Sequence, residues 1–290
     1  MHQKQNPAGF YTKGEEIFNA VSHGAGSVLA IGGTGALVAL AAALANWRTV
    51  LICLVYGLSL VVLYTMSTLY HAFPFEGVKR LFRVFDHSSI YLLIAGSYTP
   101  FTLILLDGTW KGPVICGVVW AAALLGVTLN AVSVERFEKF SMLLYIAMGW
   151  AVVFAVGDVV RALPSAGFWL LLLGGVSYTG GIVFYAWHKK GRVHYMHGVW
   201  HLFVLLGSVL HYLCILLYVL PGRLLSGTPS AGASPSGPSG DPGCPAWTGD
   251  PPPPRTPARV RRSAPTPAPG SPPLASERGA LAFPGTGPGP

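Results

Sequence analysis

The chain has 290 residues, of which 52% are hydrophobic and only 10% charged, with a formal net charge of +8 at pH 7. An ordinary soluble domain carries about 25% charged residues, so this composition excludes a water-soluble globular protein and requires lipid around the fold. The positive charge does not mark a nucleic-acid binder, because Lys and Arg stand in short clusters between apolar runs and are not interleaved with aromatics on one surface.

Residues 1–22 form a polar leader, within which Glu15 to His23 reads as the start of an amphipathic helix. Glu16, Asn19 and His23 fall at i, i+3 and i+7 on one helical face, so three polar groups there meet something specific. The apolar run that follows is too long for the core of a cleavable secretion signal and is expected to remain as a first membrane helix. Apolar stretches then recur at 24–45, 49–71, 87–106, 113–132, 140–161, 167–187 and 197–220. Each is near the ~20 residues that cross ~30 Å of hydrocarbon. Residues 23–222 are therefore predicted to be an all-α membrane protein domain, a seven-transmembrane helix bundle.

Cys53, Cys116 and Cys214 lie inside apolar segments, and neither they nor Cys244 show Cys-x-x-Cys spacing, which predicts packing residues and no disulfide framework. Gly24-Ala25-Gly26 and Gly32-Gly33-Thr34-Gly35 predict close helix packing, since no strand precedes them to make a phosphate loop. Trp47, Tyr70, Trp110 and Trp187, near span ends, read as interfacial belts. Residues 223–290 are rich in Pro, Gly, Ser and Ala; such a tail cannot bury enough apolar surface to offset its ordering entropy and is expected to be disordered.

With seven spans, one side holds Lys4, Lys13, Lys79, Arg80, Arg83, Arg136, Lys139, Lys189, Lys190 and Arg192, and the other only Arg48, Lys111 and Arg161. The excess of basic residues places the N-terminus in the cytoplasm. A reporter fused after Arg223 is expected to be active outside the cytoplasm; activity confined to the cytoplasm would contradict the span count or the orientation.

In this topology His71 at the end of the second span, Asp86 at the start of the third, and His197 with His201 at the start of the seventh all lie at the cytoplasmic level. Asp107, Lys111, Asp158 and Arg161, at the opposite ends, show no grouping in the sequence. Ionisable groups at membrane depth are costly without partners, so several at one level indicate a shared site. His197 and His201 are four residues apart, which puts both imidazoles on one helical face within reach of one ligand. Three imidazoles, from His71, His197 and His201, with a fourth position open to water are the ligand set of a catalytic zinc. Asp86 is placed to act as general base toward that water, and Ser67, one turn before His71, to donate to an oxyanion or orient the water. Plainer readings stand beside these. Asp86 could be a helix N-cap, Ser67 could bond back to its own helix, and His71 could interact with a helix dipole. His87, His188 and His194 read as solvated imidazoles at interfaces. His211, ten residues beyond His201 and about 15 Å along the helix, is too far to share a metal and reads as an interior His or a proton-path residue.

Glu16-x-x-Asn19-x-x-x-His23, Ser67-x-x-x-His71 followed by Asp86, and His197-x-x-x-His201 resemble the three signature blocks of the hemolysin III and progestin/adipoQ receptor family. The resemblance covers roughly residues 10–222, and the short polar leader is similar to that of the bacterial hemolysin III branch, which implies a bacterial plasma membrane. It implies a seven-helix bundle with zinc on His71, His197 and His201, attended by Asp86 and Ser67. The wider superfamily resembles ceramide-cleaving amidases, so the implied partner is a membrane lipid and the implied activity hydrolysis of its amide. The alternative is a non-enzymatic membrane protein with structural zinc: a pore-forming cytolysin, a receptor-like module or a membrane-homeostasis factor.

Overall fold

In the computed structural model, residues 11–189 and 193–225 are described; of the tail assigned above to disorder, residues 223–225 continue the last helix and residues 226–290 lie outside the described residues. Among the described residues every regular element is helical. Seven helices are long and apolar enough to cross a membrane. They are α1 (Lys13–Leu44), α2 (Trp47–Ala72), α3 (Glu76–Leu105), α4 (Lys111–Val132), α5 (Val134–Ala162), α6 (Ser165–Trp187) and α7 (Met196–Gly222). The chain is an integral membrane protein.

Local sequence explains the boundaries. Thr12 caps α1 in a capping box with Glu15, and Asn46 caps α2 by accepting from the Thr49 N–H at 3.0 Å. Pro100 and Pro221 lack an N–H, and next to each the helix widens into a π-turn, Phe101–Leu105 in α3 and Ile215–Val219 in α7. The 3-10 turn Ala151–Ala155 interrupts α5, and Tyr98 satisfies the freed backbone there: its hydroxyl donates to the Gly149 carbonyl and accepts from the Val152 N–H. Consecutive spans pack as neighbours, and α1 also packs against α7, which closes the bundle. Glu15 strengthens that closure, because its Oε1 accepts from the Tyr195 N–H, at the start of α7, at 2.8 Å.

Two sequence expectations change here. Asp86 is not an N-cap: α3 begins ten residues earlier, at Glu76, because the residues between are polar only on one face and the break is set by Pro74. The charged residues at the far end are not ungrouped either. Arg48 pairs with Asp107 and Lys111 with Asp158, contacts between separate spans that only the fold brings together, and Arg161 pairs with Asp158 one turn away on the same helix.

The small-residue runs divide. A Cβ on Gly26 would stand 2.7 Å from the Tyr64 ring and one on Gly33 3.0 Å from Tyr212, whereas Gly32 and Gly35 face open space. The tightest approach near the histidines is Gly198, where a Cβ would meet the Phe18 ring at 2.4 Å and Asn19 Oδ1 at 3.0 Å. Gly198→Ala is expected to wedge α7 off α1 at a cost of about 1–3 kcal/mol, read as a lower melting temperature. Gly35→Ala, into open space, is expected to melt as the unaltered protein does, and equal losses from both would contradict this packing.

Candidate functional site

The α1–α2 register pairs Glu16 with His71, Gly24 with Thr68 and Gly26 with Tyr64. With α7 closing on α1, residues from three helices converge. His71, His197 and His201 are all buried, and their ligand nitrogens lie within 4.8 Å of one another, so the group could hold a metal ion. Nε2 of His197 and Nε2 of His201 are 3.1 Å apart. That is close to the edge of about 3.3 Å expected between two nitrogens bound tetrahedrally at ~2.0–2.1 Å to zinc.

His71 is prepared for such a role. Its Nδ1 lies 2.6 Å from Glu16 Oε2. A carboxylate oxygen only accepts, so Nδ1 carries the proton, and Nε2, buried and without a hydrogen-bond partner, keeps its lone pair in the neutral ring. A carboxylate on the far nitrogen is the usual support of a metal-binding histidine. The other oxygen of Glu16 accepts from Lys79, and this buried cation balances the carboxylate, which would be costly alone at that depth. His201 Nδ1 stands 3.4 Å from Ser22 Oγ, which donates in turn to the Asn19 carbonyl. His23 stacks flat on His201 with ring centroids 3.6 Å apart and is not among the three converging nitrogens.

Ser67 is buried one turn before His71, and its Oγ has no hydrogen-bond partner, so the back-bond to its own helix is absent. Asp86 is buried inside α3, with Oδ2 3.6 Å from His87 Nδ1, and shares a cavity wall with His23. That cavity, of ≈ 120 Å³, passes between α3, α5, α6 and α7 and is lined mostly by apolar side chains such as Ile90, Leu93, Ile182 and Val204. His87 is partly buried, bonded to the Arg83 carbonyl at 3.0 Å, and so is not the solvated imidazole expected from its place in sequence. His194 is exposed, as expected.

Tyr70, read as a belt residue, is instead buried, with its ring 4.6 Å from that of His71 and Lys79 lying over it. Tyr11 went unrecognised altogether. Its ring packs against the cluster, with its centroid 4.8 Å from that of His197 and 5.4 Å from that of His71. Burial, then the phenols of Tyr70 and Tyr185 and the carboxylates of Asp86 and Glu16, push its phenol well above the usual range, so it remains a neutral group. The spacing of Glu16, Asn19 and His23 on one face did signal a buried partner for α1, but spacing alone could not name His71 as that partner.

A family model described as haemolysin-III related matches residues 11–212. The Hemolysin-3 of Bacillus cereus is 42% identical over 207 residues, 71% of this chain and 93% of that protein. The Hemolysin-3 homolog of Bacillus subtilis (strain 168) is 39% identical over 216 residues, 74% of this chain and 100% of that protein. The human monocyte to macrophage differentiation factor is 27% identical over 173 residues, 57% of this chain and 69% of that protein.

Proposed function

The chain belongs to the haemolysin III family of integral membrane proteins, and on that premise we propose that it is a zinc-dependent hydrolase acting on a lipid amide at the cytoplasmic side of the membrane. The observation that carries the reading is the buried, unpartnered Nε2 of His71, oriented through Nδ1 by Glu16, beside the facing nitrogens of His197 and His201. When bound, zinc supplies Lewis acidity that polarises a carbonyl and eases deprotonation of water near neutral pH. Asp86 takes the proton of the attacking water and returns it to the leaving amine. Ser67 Oγ, which spends its hydrogen on no protein acceptor, donates it to the developing oxyanion. Glu16 holds the tautomer of His71, and the apolar cavity receives the chain of the lipid and keeps bulk water from the reacting atoms.

X-ray absorption at the zinc edge of the purified protein tests the assignment. Three imidazoles and one exchangeable oxygen support it, while four protein ligands would indicate a closed, bracing site. Glu16→Ala is expected to lower zinc affinity by about 10–100-fold, and unchanged affinity in a zinc competition titration would remove Glu16 from the site. The name of the Bacillus cereus relative favours a second reading, lysis of membranes. Dye release from vesicles that persists in Asp86→Asn would support it, because a pore needs no proton acceptor there.

A further inference from the structure

The cavity that His23 and Asp86 border at one end is elongated. On α3 its wall runs from Asp86 to Tyr98, about 18 Å at the rise of an α-helix, and on α7 it runs from Trp200 to His211. The cavity is long and narrow, the outline of a single extended chain. At the far end stands His211, which is 9% exposed. Its Nε2–H donates to the Leu171 carbonyl at 3.1 Å. The same edge of the ring fits a slot at Gly174, where a Cβ would come within 2.2 Å of Cδ2. Phe101 and Tyr178 hold the ring edgewise, with centroids 5.7 and 5.4 Å away. These contacts hold one edge of the imidazole, and Nδ1, across the ring from that edge, is buried without a hydrogen-bond partner, so that a hydroxyl in the cavity meets it after a small shift of the ring or its neighbours.

The other polar side chains at this end have partners. Tyr178 bonds to Ser208, Thr179 to the Gly175 carbonyl, Ser97 to the Ile94 carbonyl and Tyr98 to α5. A buried acceptor left unpaired costs free energy that a donor in the cavity would recover. We propose that the far end of the cavity is a hydroxyl-binding subsite, in which His211 Nδ1 accepts a hydrogen bond from a hydroxyl on the alkyl chain of the bound lipid. The subsite rests on the reading of the cavity as the place of that chain. With Nε2–H committed to Leu171, Nδ1 offers only a lone pair, so it favours a hydroxyl over a ketone, which has no proton to give. His211 then acts as a specificity residue about 15 Å along α7 from His201, selecting lipids by what their chain carries.

The test uses the full-length protein in phospholipid nanodiscs and three probes: octadecanoic acid, the same acid with a mid-chain hydroxyl, and the same acid with a mid-chain ketone. Binding is read by native mass spectrometry. The hydroxyl probe is expected to bind about five- to tenfold more tightly than either other probe, the yield of one buried hydrogen bond. His211→Phe, which keeps an aromatic ring against Gly174, is expected to remove that preference while still binding the parent acid. Equal binding of the three probes to the unaltered protein, a measurement that needs no variant to fold, would overturn the proposal. So would a hydroxyl preference that survives in His211→Phe, or a ketone bound as well as the hydroxyl. Failure of all three probes to bind would overturn the subsite together with the chain assignment of the cavity, leaving the zinc reading to stand or fall on its own measurements.

Discussion

Replacing any one of His71, His197 and His201 with alanine is expected to take the purified protein from about one zinc per chain to near none and to lower its melting temperature by about 10 °C. The size follows from linkage. A ligand that binds only the folded state at a thousand times its dissociation constant stabilises by about 4 kcal/mol, and in a domain of this size 1 kcal/mol corresponds to roughly 2–4 °C. The three residues come from α2 and α7, far apart in the chain, and their ligand nitrogens converge to within 4.8 Å, so one cation would add a brace to helices that are otherwise joined through α1 and by the Tyr64–Ser208 hydrogen bond. His194→Ala, whose ring is exposed outside the converging group, is expected to keep both zinc and melting temperature. Equal loss of zinc from His194→Ala and His71→Ala would mean that other imidazoles are the ligands.

Asp86→Asn is expected to keep the zinc and remove most of the turnover, by about 10²–10⁴-fold, the usual contribution of a positioned proton acceptor. Asparagine is nearly the same size, so the cavity wall that Asp86 shares with His23 should persist while the carboxylate is gone. The helix position sharpens the result. Because Asp86 lies inside α3 and caps nothing, a loss of activity in Asp86→Asn cannot be assigned to an unravelled helix start. Zinc content and amide cleavage measured on the same sample decide the matter, and full zinc with unchanged cleavage would remove Asp86 from the chemistry.

The helices and the three histidines were legible in the sequence because both signals are strong. A run of about twenty apolar residues has one physical solution in lipid, and His-x-x-x-His places two rings on one face whatever the tertiary context. The start of α3 lies outside the apolar stretch read from the sequence because four charged residues fall between Glu76 and Arg83 and lower its hydropathy, although they recur at helical spacing and Lys79 and Asp86 are buried against their neighbours. Tyr70 went the same way: an aromatic near a span end suggests a belt, and its packing on His71 depends on which face of α2 turns inward. Glu16 was legible as a buried polar residue but not as the partner of His71, since that pairing depends on the α1–α2 register. Tyr11 left no pattern, being one aromatic ahead of the first apolar run. The ion pairs Arg48–Asp107 and Lys111–Asp158 link the ends of separate spans and exist only once the spans are assembled.

The most direct test of the account is cleavage of a panel of lipid amides by the purified, zinc-loaded protein, with and without a chelator and with zinc restored afterwards. The expected result is release of free amine and fatty acid that stops when the chelator strips the metal and returns when zinc is added back. Zinc bound at one per chain with no cleavage of any lipid in the panel would contradict it and leave the histidine cluster as a brace between α2 and α7.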